Sequence, residues 1–233
     1  MWVVVPVKRF VNAKTRLASL MSESERESLA QVMLNDVLLA ISSSLLVSGV
    51  LIVSNEVRAR YAVERLGGLF LEEEEAGLSA SVAQAGKWLV KHGQRGMLII
   101  PGDVPLVSSS EIDEIIKSHR GDKALTIAPD AAKDGTNALC VSPIQLIEFS
   151  FGKASFSKHI ASAKQLNLAP TVVNLSGLAL DIDNPLDLQI LLSFDNETET
   201  LAYLADSGIA RKVLPRRNRS AGKVGIGAAS RLI

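Results

Sequence analysis

Three short, unbroken apolar runs, Trp2–Val7, Gly49–Ser54 and Met97–Ile100, are each followed by a loop and then by a segment that reads as a helix. A strand that is apolar on both sides must be covered on both faces, and helices placed between successive strands supply that cover. The alternation therefore commits the chain to an α/β fold, a mostly parallel sheet flanked by helices. Ser22 and Glu25 are spaced as a capping box ahead of an apolar stripe of Leu29, Val32, Met33, Val37 and Ile41. Further helices are expected over 56–66, over 79–92 with Gly93 as the stop, over 109–118 and over 155–166. A last one starts where Asn184 caps and Pro185 fills the first turn. Strands are also expected over 125–128, 137–142 and 171–175.

At 233 residues the chain is long enough to bury a core without staples, and no linker interrupts it before about Ser193. We expect one main domain over 1–192, followed over 193–233 by a C-terminal helix and a basic tail at a subunit interface. The single cysteine, Cys140, excludes an internal disulfide or a cysteine metal cluster and reads as a small core residue. Trp2–Val7 is too short to span a membrane and runs straight into Lys8 and Arg9, so a cytoplasmic protein without a membrane partner is expected. Equal numbers of basic and acidic residues, 25 each, argue against a nucleic-acid partner. The balance is uneven: from Arg211 onward there are seven basic residues and no acid, which leaves minus seven on residues 1–210. Such a tail is a solvated extension, or it docks on a second copy in a homodimer, or it helps to hold an anionic substrate.

In open sheets of this kind ligands sit beyond the carboxyl ends of the strands. The loops there are Lys8–Leu17, Ser54-Asn55, Gly102-Asp103, Asp134–Thr136 and Asp181–Asp183. The first carries four cations in nine positions, Lys8, Arg9, Lys14 and Arg16, without the spacing of a P-loop or a dinucleotide fingerprint. It is either a polyphosphate site or a solvated basic loop. Asp103 lies in a Pro-Gly-Asp-Val-Pro turn directly after a strand, a way to offer a hard oxygen to magnesium or to cap the next turn. Asp181 and Asp183 repeat the arrangement after the apolar Leu178–Leu180, read as a second strand end. Ser155 marks a helix start beside Gly152, Lys153 and Lys158, suited to a phosphate or carboxylate. Glu72–Glu75 reads as a solvated turn, and His92 and His119 as helix-end residues.

Five segments occur in an order that resembles the 2-phospho-L-lactate guanylyltransferase family of coenzyme F420 biosynthesis. They are Val5–Lys8 with Ala13–Leu17, Gly102–Leu106, Asp134–Leu139, Phe151-Gly152 with Ser155-Phe156 and His159, and Asp181–Leu188. The resemblance covers about residues 2–192, and Gly222–Gly225 of the tail is similar to the archaeal branch. It implies a single-domain, Rossmann-like nucleotide-diphospho-sugar-transferase fold. It also implies a reaction of GTP with 2-phospho-L-lactate giving lactyl-2-diphospho-5′-guanosine and pyrophosphate. Mapped onto this sequence, the family's phosphate-binding loop places Lys8, Lys14 and Arg16 on GTP, with Ser54, Leu78 and Ser79 on the nucleotide side. Leu78-Ser79 stands where the family has Leu-Asn. Asp103 and Asp183 match the magnesium ligands, and Thr136, Gly152 and Ser155 the acceptor-binding positions. Lys14, Arg16, Asp103 and Asp183 become the catalytic set. The alternatives are phosphoenolpyruvate or 3-phosphoglycerate as acceptor, and a nucleotide-binding protein without turnover, which would have little use for both acids.

Overall fold

The computed structural model describes residues 1–11 and 13–214. Seven strands form one sheet: β1 (Trp2–Pro6), β2 (Gly49–Ser54), β3 (Leu69–Glu72), β4 (Met97–Ile99), β5 (Ala124–Pro129), β6 (Thr136–Ser142) and β7 (Thr171–Val172). Their order across the sheet is β3-β2-β1-β4-β6-β5-β7. All adjacent pairs are parallel except those made by β6, which runs against both β4 and β5. The eight α-helices among the described residues are α1 (Glu23–Ser42), α2 (Val57–Glu64), α3 (Leu78–Lys91), α4 (Ser109–Ser118), α5 (Ser155–Gln165), α6 (Pro185–Leu191), α7 (Glu199–Asp206) and α8 (Ile209–Val213).

The apolar runs are buried on both faces because successive side chains go to different cores. Val3 and Val5 join Ile52, Leu98 and Ile100 under α1, α2, α4, α6, α7 and α8. Val4 joins Leu51, Val53, Met97 and Ile99 under α3 and α5. The chain builds outward from β1 to β2 and β3, then crosses through α3 to β4 on the other side of β1. That reversal puts the topological switch point between β1 and β4, where the loops after these two strands splay apart and leave a crevice.

The capping box at Ser22 and the cap at Asn184 are formed as expected, and Asp187 completes a second box at Asn184. Burial on α1 extends past the expected stripe to Ala30, Leu34, Leu38 and Ala40, because α2, α4 and α7 all pack on it. Two strand expectations are corrected. Residues 171–175 give only the two-residue β7, since Val173 is the last to hydrogen-bond to β5 (N to Ile127 O, 3.0 Å). Leu178–Leu180 is a turn and coil, so Asp181–Asp183 does not end a strand. The amide of Ile182 instead donates to Asp103 O at 3.1 Å, tying that segment to the end of β4. Strand β3 and helices α7 and α8 were not anticipated individually. Beyond residue 192, α7 lies against α1, with Asp36 accepting from the amides of Glu199 and Thr200 (2.8 and 2.9 Å). The basic tail from Arg216 onward, expected at a subunit interface, lies outside the described residues. No helix among the described residues is long and apolar enough to cross a membrane.

Candidate active site

The loop after β1 opens the site and is held from behind. Glu56, at the start of α2, accepts the Phe10 amide at 2.9 Å and Arg58 Nε at 3.1 Å, while Arg58 reaches Glu27 at 2.9 Å. The Arg58 guanidinium also lies 4.8 Å from the centre of the Phe10 ring. From α1 the buried Arg26 donates to Ala13 O (3.1 Å) and Met21 O (2.9 Å). Directly after Ala13, Lys14 adopts a left-handed conformation with φ 50°. That conformation is uncommon for a residue other than glycine and is sustained here by the surrounding contacts.

Its result is to drive the Lys14 side chain inward, where Nζ sits 2.6 Å from Asp103 Oδ2 and 2.7 Å from Asp183 Oδ1. Burial disfavours the ammonium, but the two carboxylates outweigh it and hold Lys14 above its ordinary pKa. Asp183 is correspondingly low: burial raises it, and Lys14, then Arg16 and Lys8, more than reverse that. Arg16 stands further out, 3.8 Å from Asp183 and largely exposed. Asp181, beside Asn137 Nδ2 at 3.1 Å, is pushed up by burial and by the charges of Asp103 and Asp183. Two carboxylates thus already converge on one positive point. Magnesium takes hard oxygen ligands, often one or two carboxylates with waters and substrate phosphates completing the shell, so Asp103 and Asp183 fit it.

The far end of the site is built from β6 and the start of α5. Because β6 runs opposite to its neighbours, its first residue, Thr136, lies at the same edge as the carboxyl ends of β1 and β4. The Asp130 carboxylate accepts the amides of Asp134 and Gly135, both at 2.9 Å, and shapes the turn leading into Thr136. Asp134 O accepts the Phe156 amide at 3.1 Å, bringing the start of α5 alongside. Gly152 precedes α5 at φ 99°, a conformation suited to glycine. Lys8, Lys14, Arg16, Asp103, Asp183, Thr136, Gly152 and Ser155 all line one cavity of about 1220 Å³. That is larger than the roughly 300–1,000 Å³ of a typical single-ligand pocket and leaves room for two substrates side by side.

A family model described as guanylyl transferase CofC like matches residues 1–224. The chain belongs to the guanylyl transferase CofC-like family. Among relatives of this guanylyl transferase chain, 2-phospho-L-lactate guanylyltransferase of Methanocaldococcus vulcanius is 33% identical over 211 residues, covering 90% of this chain and 92% of the relative. Phosphoenolpyruvate guanylyltransferase of Sphaerobacter thermophilus is also 33% identical, over 188 residues, 81% of this chain and 90% of the relative. A nucleotidyl transferase structure from Methanothermobacter thermautotrophicus superposes with a TM-score of 0.60 at 16% identity, over 82% of this chain and 94% of that one, and shares the fold.

Two residues expected on the nucleotide side of this guanylyl transferase are placed differently from the rest. Ser54 is fully buried, and its hydroxyl accepts the Glu56 amide at 2.9 Å, which serves the anchor beneath Phe10. Ser79 turns its hydroxyl to accept the Phe151 amide at 2.9 Å, joining the two walls of the cavity, while Leu78 lines the cavity itself. Glu73, read as part of a solvated turn, is half-buried in the wall and accepts the Ser81 hydroxyl. Nothing in the sequence sets Glu73 apart from the other three glutamates of the Glu72–Glu75 run. His119 does more than end a helix: its ring bridges Thr126 Oγ1 (3.1 Å) and Ser142 Oγ (2.9 Å), and burial lowers its pKa. Cys140 is a core residue, with its thiol pushed up to about 12 by burial.

Proposed function

We propose that this protein joins GTP and 2-phospho-L-lactate to give lactyl-2-diphospho-5′-guanosine and pyrophosphate, with magnesium held by Asp103 and Asp183. The observation that carries the reading is the meeting of Lys14 with both acids, between the cations of the first loop and the Thr136–Ser155 wall. A phosphate oxygen of the acceptor attacks the α-phosphorus of GTP, one P–O bond forms, the bond to the β-phosphate breaks, and pyrophosphate leaves. The acceptor is already an anion, so no general base has to remove a proton. The barrier lies in bringing two anions together with attacking and leaving oxygens in line. Magnesium supplies charge neutralisation at the phosphates when bound. Lys8 and Arg16 hold phosphate oxygens at the mouth, Lys14 presents a fixed and desolvated positive charge, and Thr136, Gly152 and Ser155 orient the phosphorylated acid.

Phosphoenolpyruvate is the second reading, favoured by the bacterial relatives that carry its name at equal identity. It differs from phospholactate only in a methylene for a methyl and a flattened C2. Pyrophosphate release with GTP and magnesium, offering phospholactate, phosphoenolpyruvate and 3-phosphoglycerate in parallel with mass detection of the product, separates them. Turnover preferring phospholactate is the expected result. Preference for another acid moves the substrate, and binding of GTP without turnover on any of the three overturns the enzyme reading.

A further inference from the structure

His159 touches neither the cavity nor the charged loop, yet two of the acceptor-side elements meet on its ring. The side chain is fully buried behind the wall. The Ser150 amide lies 3.1 Å from Nε2, and Thr136 Oγ1 lies 3.1 Å from Nδ1. A backbone N–H only donates, so Nε2 is an acceptor and carries no proton. In a neutral imidazole the proton is then on Nδ1, which donates to Thr136 Oγ1. Burial, with Lys158 nearby, lowers the ring to about 4, which keeps it neutral at ordinary pH. The Phe151 ring meets it edge-on at 5.0 Å and closes its remaining side.

A threonine hydroxyl has one proton to give and lone pairs to accept with. With one lone pair taken by the imidazole, the Thr136 proton is directed away from the ring and left for another acceptor, and Thr136 lines the cavity. The same ring holds the Ser150 amide, two residues ahead of Gly152. We propose that His159 is a positioning residue for the acceptor: it fixes Thr136 as a donor into the cavity and so selects an anionic oxygen of the substrate at that point. The proposal rests on the guanylyl-transfer reading above for the identity of the substrate, but the hydrogen-bond arrangement stands without it.

The test is a double-mutant cycle read out as separate KM values for the acceptor and for GTP. Thr136→Val and His159→Leu are each expected to raise the acceptor KM about tenfold, with the GTP KM within about twofold of wild type, as expected for a lost hydrogen bond to a charged group. The double variant should be no worse than Thr136→Val, because His159 acts through that hydroxyl. His159→Asn, whose side-chain amide reaches the Nδ1 position, should recover most of the loss. Equal loss for both substrates, or losses that multiply in the double variant, would make the histidine a packing residue and overturn the proposal. Should His159→Leu fail to fold, ¹⁵N spectra of the histidine rings in the intact wild type and in Thr136→Val decide. A proton on Nδ1 whose shift moves in Thr136→Val supports the assignment, and a proton on Nε2 ends it. A wild type that turns over none of the acids defeats the functional reading alone, since the ring spectra still report on His159.

Discussion

Lys14 is the centre of the proposed site, where one ammonium neutralises two carboxylates that would otherwise repel each other across a few ångströms. The same arrangement makes the lysine a competitor of any divalent cation that uses Asp103 and Asp183. Lys14→Met should therefore tighten Mn²⁺ binding in the absence of nucleotide, measured by electron paramagnetic resonance, while turnover falls by about 10²-fold or more. Unchanged metal affinity would mean that the ammonium and the cation do not share the pair. Lys14 and Asp103 were legible as charges in the loops after two apolar strands, whereas Asp183 was singled out by a strand end that the fold does not have. Ser54 was not legible: a serine at a strand end looks the same whether it faces a ligand or, as here, accepts the Glu56 amide beneath the loop. The histidine behind Thr136 was visible only as a member of a motif, because its role depends on a contact across 23 residues.

At the scale of elements, the loop after β1 works because α1 and α2 grip it from behind through Arg26 and Glu56. Burial raises the Glu56 carboxyl, but the Phe10 amide and Arg58 hold it below its usual range, so it is a charged anchor at neutral pH. Glu56→Gln keeps the shape and removes the charge. It should lower stability by about 1–3 kcal/mol in a denaturant titration and raise the GTP KM several-fold, leaving the acceptor KM nearly unchanged. Equal effects on both substrates would place the anchor elsewhere. The helix starts were readable because Ser22-Glu25 and Asn184-Pro185 are local signals that act within one turn. Strand β3 was not, since Leu69–Glu72 is four residues long and exposed or half-buried. The reversed direction of β6 was equally hidden, because strand direction is decided by sheet partners and not by the strand's own sequence.

For the molecule as a whole, the α/β class followed from the apolar runs, and the sheet order from nothing that a single strand displays. The fold lowers the pKa of two imidazoles, the buried His159 and the half-buried His119, and that gives stability a definite pH dependence. His159 titrates at about 4 in the folded chain, below the roughly 6.5 of an unfolded histidine. As pH falls from 6.5 towards 4, the unfolded chain binds a proton that the folded one refuses, so stability falls across that window and is flat above it. Burial lowers His119 as well and acts in the same direction. Asp36, raised chiefly by burial where α7 docks on α1, acts oppositely, favouring the fold while protonated. Comparing wild type with His159→Leu isolates the first contribution: the wild type should lose about 3 kcal/mol more than the variant between pH 7 and pH 4, by chemical denaturation at each pH. Parallel pH profiles would mean that the ring is not held neutral in the fold.

The central claim is that Asp103, with Asp183 and Lys14, forms the centre of a guanylyl-transfer site. Pyrophosphate release by wild type and by Asp103→Asn, each with GTP, magnesium and a phosphorylated three-carbon acid, tests it most directly. The wild type should release pyrophosphate only when the acid is present, and the variant, with an unchanged circular dichroism spectrum, should be slower by about 10²-fold or more. Comparable release by the two proteins would remove Asp103 from the reaction and, with it, the site described for this fold.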